Sequence, residues 1–511
     1  MPRIVIRAHK NPFDVADAET TYGRNLIGNN TGNLVFSQSV YRLLARSDTE
    51  LTTSTLLSES AERLNEEVDH LVIPLANAFR PDYVHRLESM STLIEQLTIP
   101  VTVLGVGAQA SLTGQQKSGD VVGTATTRFV RAVLDRSSSI GVRGDFTRDY
   151  LRGLGFSDEH VQVIGCPSIF MWGPDLAVER RVERLTQESP IAFNVSPYVT
   201  EMGPLSQYCA ERYPNLVYMA QNIQSLELML YGTYPMGSTA MVDNGAPVTL
   251  DHPLVRENRI RFFLDPTTWF EELRRYDFSF GTRIHGNIAS LLAGTPAVLL
   301  AHDARTLELA EYHEIPHRLI TEVASDTDPV ELHAEASWDR LVKGHGGRWD
   351  TFAGFLAAHD LPHVYSDGQD PTAFDRAMAD LELPPPVEPL TAAPPEALYA
   401  IRRDLRDTRA ELVRTEKRLQ RATAKLEEAK AREATAKAAT DKAARAARDK
   451  ADRATTAKAA QVQAARDEAA RREAARPELV RTLARVTRRP RRVGRRVLKK
   501  GIRVARGLRS R

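Results

Sequence analysis

Cysteine is nearly absent: Cys166 and Cys209 are the only two in 511 residues, far apart and without metal-ligand spacing. That excludes a disulfide-stapled scaffold and fits a reducing compartment. Long apolar runs are missing as well. The opening MPRIVIRAHKNPF lacks the apolar core of a secretory signal, and no later stretch reaches the roughly 18 apolar residues of a spanning helix. The expectation is a soluble, cytoplasmic protein, at most peripheral to the inner face of a membrane. Net charge is small too, at +2, but it hides an asymmetry. Residues 477–511 hold 14 Lys and Arg against the single acid Glu478, so the preceding 476 residues carry −11. A basic tail on an acidic body implies an anionic partner of its own. The tail interleaves its cations with Val493, Val497, Leu498, Ile502 and Leu508 and offers no Trp or Phe to stack on bases. An anionic membrane surface suits it better than nucleic acid.

What is present up to about residue 325 is an alternation of short β-rich apolar runs with longer helix-like segments. The runs are HLVIPLANAF (70–79), VTVLGVGAQ (101–109), SIGVRG (139–144), VQVIGCPSIF (161–170), PIAFNVSP (190–197), NLVYMAQN (215–222), RFFLDP (261–266), FSFGTRIHG (278–286) and PAVLLAHD (296–303). Continuous apolar runs this short mark strands buried on both faces, with helices crossing between them. The fold class expected is α/β, doubly wound, in two Rossmann-like halves with a cleft between them. The polar stretch 173–189 separates an N-terminal half (1–180) from a second half (190–325), and residues 330–380 read as helices that pack back. A proline-rich linker spans 381–397. Beyond it Leu398, Leu405, Leu412, Leu419 and Leu426 recur every seventh residue, with Ile401, Thr408, Thr415, Ala422 and Ala429 three further on. This spacing predicts a long helix over 398–476 that forms a coiled coil, giving a homo-oligomer through 398–429.

The chemistry concentrates in GTRIHGNIASLLAGTPAVLLAHDAR (281–305). On a strand, residues two apart share a face, so Arg283 and His285 are expected to project together at the carboxyl end of strand 278–286, where open α/β sheets place ligands. The helix that follows offers unpaired N–H groups to an anion. Asp303 and Arg305 emerge at the end of the next strand. Guanidinium forks match carboxylate and phosphate oxygens, and a histidine can donate a proton near neutrality. Asp303 and Asn287 stand beside these groups as further candidates. No metal ligand set and no cofactor is expected.

Residues 275–316, RYDFSFGTRIHGNIASLLAGTPAVLLAHDARTLELAEYHEIP, resemble the C-terminal signature of the polysaccharide pyruvyl transferase family. NLIGNNTGNLVFSQSVYRLL (25–44), VTVLGVGAQ and SIGVRGDFTRDYLRGLG are similar to its upstream motifs, so the resemblance covers about residues 20–325. It implies a GT-B-like fold and transfer of the pyruvyl group of phosphoenolpyruvate to sugar hydroxyls of a cell-surface glycan, or its lipid-linked precursor, as a ketal. It also implies that Arg143, His285 and Arg305 contact phosphoenolpyruvate, with Arg305 standing where Lys is common. Gly32-Asn33 departs from the family's usual Gly-Asp. On the chemistry above, His285 is the general acid and Arg143, Arg283 and Arg305 clamp the donor. Two other readings compete: a GT-B nucleotide-sugar glycosyltransferase, and a non-catalytic coiled-coil assembly protein.

Two motifs are set aside. His313-Glu314-Ile315-Pro316-His317 has the zinc-protease spacing, but Pro316 opposes the helix that would bring both histidines to one face. GVGAQA (105–110) fits a dinucleotide fingerprint, yet SLTGQQKSGD after it does not open a helix.

Overall fold

The computed structural model describes residues 1–110, 112, 120–235, 245–366, 368–389 and 396–474. The chain divides into two compact units, Met1–Ala410 and Glu411–Arg511. The first is a mixed α/β structure built on two parallel sheets. One has four strands in the spatial order Glu50–Ser54, Arg3–Arg7, His70–Pro74, Val101–Leu104. The other has six, in the order Ile260–Phe262, Leu216–Ala220, Ile191–Asn194, Phe278–Gly281, Ala297–Ala301, His317–Leu319. Short parallel pairs, Asn77–Phe79 with Gly107–Ala108 and Ile140–Val142 with Val161–Val163, extend the first half.

Each of the nine apolar runs contains a strand or, for RFFLDP, the last two residues of one. The central ones, such as HLVIP, IAFN and AVLLA, are buried at every position, which is why they show no polar alternation. Three strands escape the sequence pattern. RIVIR is flanked by arginines, while ELTTS at the edge of its sheet and HRL at the edge of the other are only partly buried. One boundary is corrected. The strand expected over 278–286 stops at Gly281, and a helix, Ile284–Leu292, starts three residues later. Gly281 has φ +143°, and a Cβ there would collide with the Asn194 carbonyl oxygen of the neighbouring strand. Pairing cannot continue past that point with an ordinary residue geometry.

Helices Pro329–Glu335, Asp339–Ala358 and Ala373–Ala379 follow the second sheet. His359, closing the middle one, bonds to Ser139 O at 3.1 Å, and Arg42 pairs with Asp375 at 2.6 Å, so this segment returns to the N-terminal half. Val387 then forms an antiparallel bridge with Phe262 at the edge of the six-stranded sheet. From Glu396 to Ala474 the chain is one helix of 79 residues. Its start is fastened to the body where Arg402 donates to Leu230 O at 2.8 Å and Arg406 pairs with Glu227 at 3.2 Å. Leu405, Leu412, Leu419 and Leu426 are exposed along it. None of the described helices is long and apolar enough to cross a membrane. The basic segment 477–511 lies outside the described residues.

Candidate active site

Parallel strands all end on the same side of their sheet, so the segments that leave them meet there. In this chain they enclose a cavity of about 570 Å³. Arg7 ends strand Arg3–Arg7, with Ala8 and His9 after it; Pro74 ends His70–Pro74, with Leu75 to Asn77 after it; Arg143 follows Ile140–Val142. From the second sheet come Ser196 to Tyr198, Gln221 and Asn222, Thr282 to His285, and His302 with Arg305 and Thr306. The wall therefore carries five arginines: Arg7, Arg80, Arg143, Arg283 and Arg305.

Arg283 does not lie on a strand beside His285, as the sequence pattern implied. It precedes the helix Ile284–Leu292, and His285 lies in that helix's first turn. The turn is held by Asn194, whose Oδ1 accepts from Arg283 N at 2.7 Å, and by Thr282, whose hydroxyl accepts from Ser196 N at 2.7 Å. Arg283 is aimed by Asn222 Oδ1 (2.6 Å) and Val195 O (3.2 Å), with its guanidinium 5.5 Å from the Tyr198 ring centre. Arg143 is buried and donates to Ala76 O and, at 3.4 Å, to Gly105 O. Its side chain lies across Gly107, where any Cβ would collide with Arg143 Nε. The Gly-x-Gly of GVGAQA thus makes room for an arginine, and a strand rather than a helix follows Gly105.

Arg305 pairs with Asp303 Oδ2 at 2.9 Å. Asp303 itself caps the helix Ala304–His313 through Thr306 N at 2.9 Å, so it both starts that helix and orients Arg305. Asn287 is fully buried behind the 281–285 turn, donating to Gly281 O (3.0 Å) and Arg283 O (3.1 Å) and accepting from Asn194 (3.1 Å). It shapes the turn and is not part of the cavity wall.

His285 is half-buried in that wall, with Phe36 edge-on at 5.8 Å and Cys166 Sγ at 3.7 Å from Nε2. Burial, then the positive charges of Arg143 and Arg305, push its pKa down to about 3. The ring is neutral in the free protein. Gly32 brings the helix Gly32–Leu44 against it, since a Cβ there would meet His285 Cβ at 2.7 Å. Next to Gly32, Asn33 Nδ2 donates to Ile27 O (3.1 Å) and Gly28 O (3.0 Å). A carboxylate cannot donate, so an asparagine rather than an aspartate can fasten the loop in this way.

Sequence reasoning missed Arg7, Arg80, Tyr198, His302 and Glu308. Arg7 ends a strand, and the rule that located Arg283 would have found it had RIVIR been read as one. Tyr198 Oη and His302 Nε2 are 3.3 Å apart at the cavity mouth. Glu308 has no local signal: it reaches from the second half to cap the helix that follows Arg143, accepting from Thr147 N at 3.0 Å and Thr147 Oγ1 at 2.8 Å. Burial lifts its pKa to about 7, opposed by Arg143. The H-E-x-x-H spacing is split, with His313 ending a helix and His317 opening a strand.

The family profile described as polysaccharide pyruvyl transferase matches residues 9–304, which contain Arg143, Arg283 and His285 and reach to the residue before Arg305. The chain belongs to the polysaccharide pyruvyl transferase family. A search of curated proteins finds no match. Solved structures similar to it include S. aureus MnaA with UDP, at 11% identity and TM-score 0.36, covering 72% of this chain and 100% of that one. Another is Anabaena Alr3699/HepE with UDP and glucose, at 11% identity and TM-score 0.35, covering 70% and 98%. A third is sucrose-phosphate synthase from Thermosynechococcus elongatus, at 12% identity and TM-score 0.37, covering 70% and 96%. Within the family frame, the cavity gathers five arginines from both halves of the body beside His9, His285 and His302, an arrangement suited to an anionic rather than a neutral ligand.

Proposed function

We propose that this transferase moves the pyruvyl group of phosphoenolpyruvate onto sugar hydroxyls of a cell-surface glycan, or its lipid-linked precursor, as a ketal. The observation that carries this reading is the charge of the cavity wall. Of its five arginines only Arg305 has an ion-pair partner among the described residues. Unpaired, partly buried guanidiniums are costly unless a ligand supplies the counter-charge. Phosphoenolpyruvate brings a carboxylate and a phosphate on three carbons.

The steps balance once donor binding has brought a proton to His285, whose ring is neutral in the free protein. His285 delivers that proton to the methylene carbon, C2 becomes oxocarbenium-like, and the first acceptor oxygen bonds to C2 and returns its proton to His285. The second hydroxyl then displaces phosphate, its proton leaving with the phosphate. Holding donor and acceptor in one cavity removes much of the entropic barrier.

Thermal denaturation with ligands separates this from the glycosyltransferase reading. Phosphoenolpyruvate at a hundredfold excess over its Kd is expected to stabilise the fold by about 2.7 kcal/mol, with nucleotide sugars giving no shift. A shift with a nucleotide sugar and none with phosphoenolpyruvate would overturn the proposal.

The proposal extends to assembly. The helix Glu396–Ala474 exposes Leu405 (46%), Leu412 (59%), Leu419 (66%) and Leu426 (55%) at heptad spacing, and a second copy of the same helix would cover them. Light scattering is expected to show an oligomer for the wild-type chain and a monomer for L412D/L419D; a monomeric wild-type chain sinks this part of the reading.

A further inference from the structure

Within the cavity the cations are not evenly spread. Arg80 follows the short strand Asn77–Phe79, and Arg305 follows Ala297–Ala301 in the other sheet, yet both reach the same amide. With its oxygen turned toward them, Asn77 accepts from Arg80 Nη1 at 2.8 Å and from Arg305 Nη1 at 2.7 Å. Arg80 also lies 5.4 Å from the ring centre of Tyr83, whose hydroxyl accepts from Arg7 Nη2 at 2.9 Å. Three guanidiniums from three strand ends thus crowd one wall. Among the described residues one carboxylate, that of Asp303, is bonded to any of them, and that of Asp82 also lines the cavity. Arg305 Nε is buried without an acceptor among the described residues. The crowding has an electrostatic signature: burial first, and then the charge of Arg305, lower the pKa of Arg80.

We propose that Arg80 and Arg305, with Arg7 behind them, form the seat of a tetrahedral oxyanion: the phosphate of the donor, and the orthophosphate released from it. This rests on the pyruvyl-transfer reading and assigns one end of the donor within it. A carboxylate is planar and cancels a single positive charge. A phosphate dianion cancels two, and its tetrahedral oxygens accept from forks arriving along different directions. The Arg80–Arg305 pair, approaching from opposite halves of the body, fits the second description. The carboxylate end of the donor is then left to Arg143 and Arg283. Orthophosphate consequently competes with the donor.

Calorimetric titration of the full chain with inorganic phosphate, and separately with pyruvate, tests the seat. R80M is expected to weaken phosphate binding about tenfold or more, the loss of charge-assisted hydrogen bonds, and to leave pyruvate binding unchanged. R80K keeps the charge without the fork and is expected to fall between wild type and R80M. Wild-type phosphate affinity in R80M overturns the proposal, as does wild-type affinity in R80K should R80M fail to fold. Equal weakening toward phosphate and pyruvate also overturns it, because the residue would then not distinguish the two ends. A wild-type chain that binds phosphate through Arg80 but does not turn over phosphoenolpyruvate keeps the seat and removes the pyruvyl-transfer reading.

Discussion

Replacing His285 with glutamine is expected to lower kcat by about 10²–10⁴-fold, the range for loss of a general acid, with the melting temperature at pH 8 close to that of the wild-type chain. Glutamine fills similar space beside Phe36 and Cys166 but has no proton to lend. The pH dependence gives a second reading of the same residue. In the free protein its pKa sits at about 3, through burial and the charges of Arg143 and Arg305. In the unfolded chain it returns to roughly 6.5. Between those values the unfolded state binds the extra proton, so this group's contribution to stability is fully present above about pH 6.5 and is lost as pH falls toward 3. H285Q removes that share of the acid destabilisation. Donor binding works in the opposite direction. A phosphate and a carboxylate neutralise the two arginines that depress the ring, so phosphoenolpyruvate is expected to carry a proton into the site and to bind more weakly as pH rises. Calorimetry in two buffers of different ionisation enthalpy measures that uptake. Near-normal turnover in H285Q, or donor binding with no proton taken up, would show that the imidazole is not the acid.

Much of this site was legible because its residues lie at strand ends, where a one-dimensional pattern marks position. Arg283 and His285 lie at the end of one apolar run and Arg305 just beyond another, and all three line one cavity. Alternation puts Arg283 and His285 on one strand face, whereas Gly281 ends the strand and the two residues sit at a helix start, where Asn194 and Asn222 hold Arg283. Those asparagines lie 89 and 61 residues from Arg283, beyond any local pattern. Glu308 shows the same limit from the other direction: its burial against Thr147 joins segments 161 residues apart. Arg80 was invisible for a further reason. Its strand, Asn77–Phe79, is three residues long and sits inside a run already read as one strand. Packing between distant segments, not local propensity, decides which arginines face the cavity.

The same dependence on distant segments predicts the largest stability effect. Lys10 leaves the first strand of the N-terminal half, and its Nζ meets Asp265 Oδ2 at 3.2 Å and Leu264 O at 3.3 Å. Side-chain exposure is 3% for Lys10 and zero for Asp265, so neither charge has water to fall back on. Asp265 also caps the helix Pro266–Leu273 through Thr267 N at 2.8 Å. Lys10→Met leaves a buried carboxylate facing methylenes, which is expected to cost about 3–5 kcal/mol. The double variant K10M/D265N is expected to recover a substantial part, because the penalty lies in the orphaned charge more than in the lost attraction. Urea denaturation at fixed pH reads both. A loss under about 1 kcal/mol in K10M, or a double variant no better than the single, would show that the pair is solvated in practice. The consequence reaches catalysis, since Lys10 adjoins His9 in the cavity wall and joins the two halves that supply its arginines. A K10M chain that still folds is therefore expected to lose kcat/KM for phosphoenolpyruvate, although Lys10 is not in the cavity wall, because Arg80 and Arg305 line the cavity from opposite sides of the joint that this ion pair closes.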